Sequence, residues 1–224
     1  MKFVVISDTH GRHRFLRLPK ADVLLHAGDI TYHGDRREVE DFLNWFGNLP
    51  HPHKIFVAGN HDFFFEKEKL AIVKKMMPPG VQYLMDEGVL INGIKIWGSP
   101  YTPKFYRWAF NKGRGEPLAE QWKKIPSDVD LLLTHGPVYG ILDLTANEQH
   151  AGDKDLLTKV LAVKPKVHVS GHIHESAGLA TRHGIKFINA CVLNESYEMV
   201  HKPVQFELKP NPVQDSEHHR KKEA

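Results

Sequence analysis

Cysteine is nearly absent: the 224-residue chain carries one, Cys191. An internal disulfide framework and a cysteine-based zinc or iron–sulfur site are excluded, so a reducing compartment is expected, with Cys191 a small buried hydrophobe. Long apolar runs are missing too. The run Phe3 to Ile6 is broken by Asp8 before a signal-peptide core of roughly 7–15 residues forms. No stretch approaches the roughly 18 uninterrupted apolar residues of a membrane span. A cytoplasmic protein with no membrane partner is therefore expected. Neither sign of charge dominates: 30 Lys and Arg against 27 Asp and Glu leave +3, too slight a bias for a dedicated nucleic-acid-binding region. Internal repeats and interdomain linkers are lacking as well. With 41% hydrophobic and 25% charged residues the chain is ordinary globular material, and its length favours one domain. We expect that domain over residues 1–209, followed by a polar, aperiodic tail over 210–224 that is disordered. Nothing in the composition fixes an oligomeric state.

Short apolar runs recur at Phe3 to Ile6, Val23 to His26, Ile55 to Ala58, Ile94 to Trp97, Leu131 to Thr134, Val167 to Ser170 and Phe187 to Ile188. Their β-branched content and flanking turn residues predict buried strands. Helices are predicted where apolar residues fall three and four apart: Asp35 to Phe46 (Val39, Phe42, Leu43, Phe46) and Asp153 to Val163 (Leu156, Leu157, Val160, Leu161). Asp35 and Asp153 serve as caps or first-turn acids, and Pro165 stops the second helix. Between Val81 and Trp97 the strand signals crowd together around Asp86-Glu87-Gly88 and Asn92-Gly93, the latter a strong hairpin signal. That region and Gly178 to Leu208 should add antiparallel pairing. The expected architecture is α/β, a sandwich of two mixed sheets flanked by helices.

What the chain has in abundance is histidine, sixteen in all, and their positions are informative. Phe3 to Ile6 runs into Asp8-Thr9-His10, Val23 to His26 into Gly28-Asp29, and Ile55 to Ala58 into Gly59-Asn60-His61-Asp62. Leu131 to Leu133 runs into Thr134-His135-Gly136, and Val167 to Val169 into Gly171-His172-Ile173-His174. Sites in open α/β sheets form beyond the carboxyl ends of strands, so five such exits can converge. Asp8 and His10 stand two apart, as do His172 and His174, which on an extended exit keeps both side chains on one side. Asp29 is the best bridge between two cations, able to use both carboxylate oxygens. Asn60 offers a carbonyl oxygen and His135 a nitrogen. The donors are nitrogen and oxygen only, which suits manganese, iron, zinc, cobalt or nickel without choosing among them. Gly28, Gly59 and Gly171 allow close backbone approach. Each motif alone is weak; five in chain order are not.

This order, D-x-H, G-D, G-N-H-D, T-H-G and G-H-x-H, resembles that of the calcineurin-like metallophosphoesterases over residues 1 to about 190. Gly98 to Tyr101, Phe105 to Asn111 and Pro165 to Glu175 look like the branch of metallophosphoesterase domain-containing proteins. The resemblance implies a four-layer α/β/β/α sandwich and two divalent ions, manganese first, with magnesium added to the alternatives above. One ion would be held by Asp8, His10, Asp29 and His174, the other by Asp29, Asn60, His135 and His172. It implies phosphodiester hydrolysis of small or cyclic nucleotides by a metal-bridging hydroxide, with His61 as general acid and Asp62 placed to orient or stabilise its imidazolium. The competing readings are a broad-specificity phosphomonoesterase and a non-catalytic scaffold. Scaffold relatives typically lose ligands or the G-N-H histidine, and this chain has lost neither.

Arg12, and less so His33, follow site motifs closely enough to meet a phosphate; Arg12 suits it better because a guanidinium forks onto two oxygens. Asn60 is a candidate substrate contact too. The aromatic, basic segment Tyr101 to Arg114 reads first as a loop on its own aromatic core and second as a wall for a nucleotide base, one aromatic serving function while the rest pack.

Overall fold

The computed structural model describes residues 1–210. Within them the strands are β1 (Lys2–Ile6), β2 (Val23–His26), β3 (His53–Phe56), β4 (Val81–Tyr83), β5 (Glu87–Ile91), β6 (Ile94–Ser99), β7 (Thr102–Pro103), β8 (Asn111–Lys112), β9 (Leu131–Thr134), β10 (Val167–Ser170), β11 (Gly178–Arg182), β12 (Ile185–Asn189) and β13 (Val204–Glu207). The helices are α1 (Arg36–Gly47), α2 (Phe63–Lys67), α3 (Leu70–Lys75), α4 (Glu116–Lys123) and α5 (Lys154–Val163). One sheet has the order β13-β1-β2-β3-β4, parallel except for β13. The other runs β11-β12-β10-β9-β6-β5, with parallel central strands and an antiparallel strand at each edge.

Side-chain alternation along the strands builds the layers. In β1, Phe3 and Val5 enter a core shared with Leu131, Leu133 and Val169 of the second sheet. Val4 and Ile6 point the other way, against Phe42 and Phe46 of α1. In β9, Leu132 turns outward to Trp122 of α4 and Leu156 of α5. Three apolar layers thus separate four structural ones, the α/β/β/α sandwich that the resemblance implies. The tail expected over 210–224 falls, beyond Pro210, outside the described residues.

The local signals act as their chemistry dictates. Asp35 caps α1 by accepting from Glu38 N at 2.9 Å in a reciprocal capping box. Asp153 caps α5 through Leu156 N at 2.8 Å, and Lys164 turns left-handed (φ 54°) just before Pro165. Asn92 (φ 46°) and Gly93 (φ 80°) make the turn between β5 and β6, the pairing of positive φ values that a two-residue hairpin needs. Two expectations shift. β3 starts two residues early and leaves Val57 and Ala58 as a buried exit. Glu87 and Gly88 already belong to β5, so the turn sits at Asp86 (φ 51°). Helices α2, α3 and α4 are not anticipated; at five, six and eight residues they are too short for a 3.6-residue period to show.

Candidate metal centre

β1, β2 and β3 of one sheet and β9 and β10 of the other end at the same place, and their exit loops are stitched together by backbone hydrogen bonds. Asp8 N donates to Gly28 O (2.9 Å), His10 N to Asp29 O (3.0 Å) and Gly171 N to His135 O (2.9 Å). The loops then turn sharply. Asp8 (φ 56°), His10 (φ 43°), Asp29 (φ 54°) and His172 (φ 71°) all lie in the left-handed region. That conformation costs a residue with a Cβ about 1–2 kcal/mol, and strain of this kind gathers where side chains must be aimed.

The seven expected ligands are brought together. Asp8 Oδ1 lies 3.6 Å from His174 Nε2 and 4.0 Å from His10 Nε2. Asp29 Oδ2 lies 3.7 Å from His10 Nε2 and 3.5 Å from His135 Nε2, and Asn60 Oδ1 is 2.8 Å from His135 Nε2. Asp8, His10 and His174 form one group able to hold an ion, and Asp29, His135 and His172 another. The Asp–His separations are too long for hydrogen bonds. They are slightly wider than the roughly 3.0–3.4 Å between two ligands each about 2.1 Å from one ion. A single oxygen of Asp29, Oδ2, faces both groups; Oδ1 accepts from His61 N at 2.8 Å, so the expected use of both oxygens is reduced to one.

His10 supplies the test of fit. It is 4% exposed, and neither ring nitrogen has a hydrogen-bond partner among the described residues. Each such buried orphan costs about 1–3 kcal/mol. Burial outweighs Asp29 and Asp8 and pushes its pKa down to about 4, leaving the neutral imidazole that a metal requires. His135 gives the complementary sign. Its Nδ1–H donates to Ala27 O at 2.8 Å, which leaves Nε2 facing the acceptor Asn60 Oδ1. Burial opposes a second proton, but Asp29, with Asp8 behind it, prevails and lifts the pKa to about 9. A positive charge is therefore wanted between these atoms, and a cation fits the same demand. His174 Nδ1 donates to Asn194 O at 3.0 Å, turning Nε2 inward.

Two buried strand histidines support the loops from beneath. His26 Nε2 meets Thr9 Oγ1 at 2.9 Å and His168 Nε2 meets Thr134 Oγ1 at 2.8 Å. Burial pushes both to about 3, so they hold the threonines beside Asp8, His10 and His135 as neutral groups. Cys191 is buried as expected but also polar in its contact, since its thiol donates to Asp8 Oδ2 at 3.0 Å.

Other expectations change. Asp62 does not orient the His61 imidazole: it accepts from Ile30 N (3.2 Å), Thr31 N (2.9 Å), Thr31 Oγ1 (2.6 Å) and Gly59 N (2.8 Å), clamping the β2 exit to the β3 exit. His61 Nδ1 instead donates to Tyr32 O at 2.9 Å. Arg12 is exposed, and its guanidinium has no partner among the described residues. In the segment Tyr101 to Arg114, Phe110 packs in the core while Trp108 stacks on His61 at 4.2 Å and 28°. Ala109 N donates to Asn60 O at 3.0 Å. The segment thus backs the site rather than merely packing on itself. Tyr197, 4.9 Å from His10 edge-on, carries no sequence signal of its own.

Close approach explains two of the glycines. A Cβ on Gly171 would overlap Asp8 Oδ2 and Ser7 Oγ, and one on Gly59 would overlap Asp29 Oδ1 and its backbone nitrogen. Overpacking of this kind costs roughly 1–3 kcal/mol. Gly171→Ala should therefore push Asp8 aside and weaken one metal position about tenfold or more, with the second retained. Titration with manganese followed by equilibrium dialysis reads this directly; two unchanged positions would sink it.

Two mixed sheets between helices, with aspartates, histidines and one asparagine gathered where strands of both sheets end, define a metallophosphoesterase-like protein. The calcineurin-like phosphoesterase family model matches residues 1–176, and the chain belongs to that family. Its members hydrolyse phosphoesters with bound metal, typically two divalent ions. Within it, the chain is similar to metallophosphoesterase domain-containing protein 1 of Homo sapiens and of Mus musculus. Each is 39% identical over 234 aligned residues, covering 94% of this chain and 72% of the relative. The crystal structure of TT1561 of Thermus thermophilus shares the fold, with a TM-score of 0.61 at 13% identity over 84% of this chain and 88% of that one. Among the described residues no helix is long and apolar enough to cross a membrane.

Proposed function

We propose that the chain is a dinuclear phosphodiesterase of small nucleotides, cyclic ones foremost, working in the cytoplasm with manganese at both positions. One observation carries the choice of diester. Among the described residues, the polar side-chain contacts of Asp8, Asp29 and His10 are with one another, with histidines, a cysteine and backbone N–H groups, with no ion pair to a lysine or arginine. A diester monoanion asks for less positive charge than a monoester dianion, and two cations alone can supply it.

When bound, the ion pair polarises the phosphoryl group and lowers the pKa of water enough to provide the nucleophile near neutral pH. The chain's own residues do the rest. Asp29 is fixed from behind by His61 N–H, so its Oδ2 stays between the two groups. His61 keeps Nδ1–H on the Tyr32 carbonyl, which orients the ring and leaves Nε2–H as the proton for the departing oxygen. Trp108 holds that ring by stacking.

Chelation followed by manganese should abolish and then restore hydrolysis of an aryl phosphodiester, with kcat/KM above that for the matched monoester. Turnover of the monoester alone would replace the reading by a phosphatase. No turnover with manganese, cobalt, nickel, zinc or magnesium would make the chain a scaffold.

A further inference from the structure

His172 belongs to the metal centre on one side and lines a cavity of about 320 Å³ on the other, with Phe105, Ile173, Lys104, Arg114 and His150 among the remaining walls. The lining has apolar surface and basic groups and no carboxylate. Phe105 presents a ring that is 59% exposed. His150 is not an ordinary surface histidine. Asp143, 1% exposed, accepts Gly140 N and Gly152 N on Oδ2, each at 3.0 Å, and His150 Nδ1 on Oδ1 at 2.8 Å. The imidazole packs on Tyr139 at 4.9 Å. Arg114 braces the residues that follow it by donating to Ala151 O (2.8 Å) and Gly152 O (2.6 Å). A buried carboxylate, an aromatic ring and a guanidinium thus fix an imidazole whose side chain is 40% exposed. With Nδ1 committed, Nε2 is left without a partner among the described residues, ready for a ligand. Preorganisation of this kind lowers the entropy cost of holding a bound group.

We propose that this cavity receives one organic substituent of the phosphoester, and that Phe105 and His150 are specificity-determining residues that select a flat, aromatic or heteroaromatic group bearing a hydrogen-bonding atom. The inference rests on the reading that the seven ligands hold the ions that would bind the phosphoryl group, because His172 is common to both places. Phe105 supplies a face for the ring, and His150 Nε2 the polar contact that sets its orientation. The lack of acidic walls leaves the approach of an anionic ester unopposed.

Two phosphonates that cannot be hydrolysed test this by calorimetry on the manganese-loaded protein. Wild type should bind 4-hydroxyphenylphosphonate, whose ring hydroxyl offers His150 Nε2 a partner, about tenfold more tightly than methylphosphonate, which is about 1.4 kcal/mol. Phe105→Ala and His150→Ala should each bring that ratio to within about threefold. The readout is the ratio, so any change at the metal centre that both ligands share cancels. Both side chains are exposed or half-exposed, and thermal melting confirms that the variants fold. Equal affinities in wild type, binding of neither phosphonate, or an undiminished ratio in both variants would overturn the proposal. Manganese-dependent diester turnover with no phenyl preference removes the cavity and keeps the reaction. A preference that the variants abolish, in a protein without turnover, keeps the cavity and removes the reaction.

Discussion

Asp29→Asn should lose both metal ions, and activity should fall by three orders of magnitude or more. A unit charge at about 4 Å in an effective dielectric of about 20 is worth about 4 kcal/mol, a thousandfold in affinity, and Asp29 Oδ2 faces both groups. The substitution is worse than loss of charge, because the amide cannot satisfy its surroundings in either orientation. With NH2 at the Oδ1 position it confronts the His61 N–H now bonded at 2.8 Å. With NH2 at the Oδ2 position it meets His10 and His135 from the side the cations need. His135 should also change, since Asp29 is what lifts its pKa to about 9 against burial; with that partner neutral, the ring should titrate lower. The fold without metal should survive, because burying a neutral amide is easier than burying a carboxylate. Metal analysis after dialysis against about micromolar manganese, with melting as the control, separates the outcomes. Both ions lost from a folded protein is the expected result. Loss of one with the other unaffected would show that Asp29 is not shared.

The sheet halves of this centre could be read from the chain because strands and ligand loops are local. An apolar run of four residues followed by Asp, Asn or His beside Gly specifies a buried strand and its exit without knowledge of the rest of the fold. The same holds for the caps of α1 and α5 and the Asn92-Gly93 turn. What stayed hidden depends on contacts between segments far apart in sequence. Cys191 touches Asp8 from 183 residues away, and Trp108 stacks on His61, with no periodicity to announce either. Asp62 shows the opposite hazard. Adjacency to His61 suggests an imidazole partner, yet chain direction at the exit sends its carboxylate to the β2 loop, where Ile30 and Thr31 offer three donors, with Gly59 N as the fourth. The chain carries one further local signal. Thr9-His10 and Thr134-His135 repeat the same pair, and a histidine in a neighbouring strand bonds each threonine. Buried strand histidines beneath a Thr-His pair mark a supported ligand loop.

His61→Ala should keep metal content near two while slowing turnover in a way that depends on the leaving group. The side chain is not needed to hold Asp29, since that contact comes from the His61 backbone N–H and survives any replacement. What disappears is a ring stacked on Trp108 at 4.2 Å and tethered through Nδ1 to the Tyr32 carbonyl. Geometry leaves a rival role open, because a His61 nitrogen also lies within 4.8 Å of ligand atoms on His10 and Asp29; metal content decides between them. General-acid assistance is worth roughly 10²–10⁴-fold, about 3–5 kcal/mol of barrier, when the departing oxygen would otherwise leave as a basic alkoxide. Nitrophenolate scarcely needs a proton. The variant should therefore lose at least about a hundredfold on a cyclic nucleotide or other nucleoside diester and less than about tenfold on a nitrophenyl ester, where bond cleavage limits both. His61→Gln, which can still donate to Tyr32 O, should behave like Ala in rate but better preserve the packing against Trp108, so a shared defect cannot be ascribed to collapse of the wall. Equal losses on the two substrates with both ions present would make His61 a group that positions the phosphate. Loss of an ion in either variant would make it a ligand, and the proton would have to come from another group.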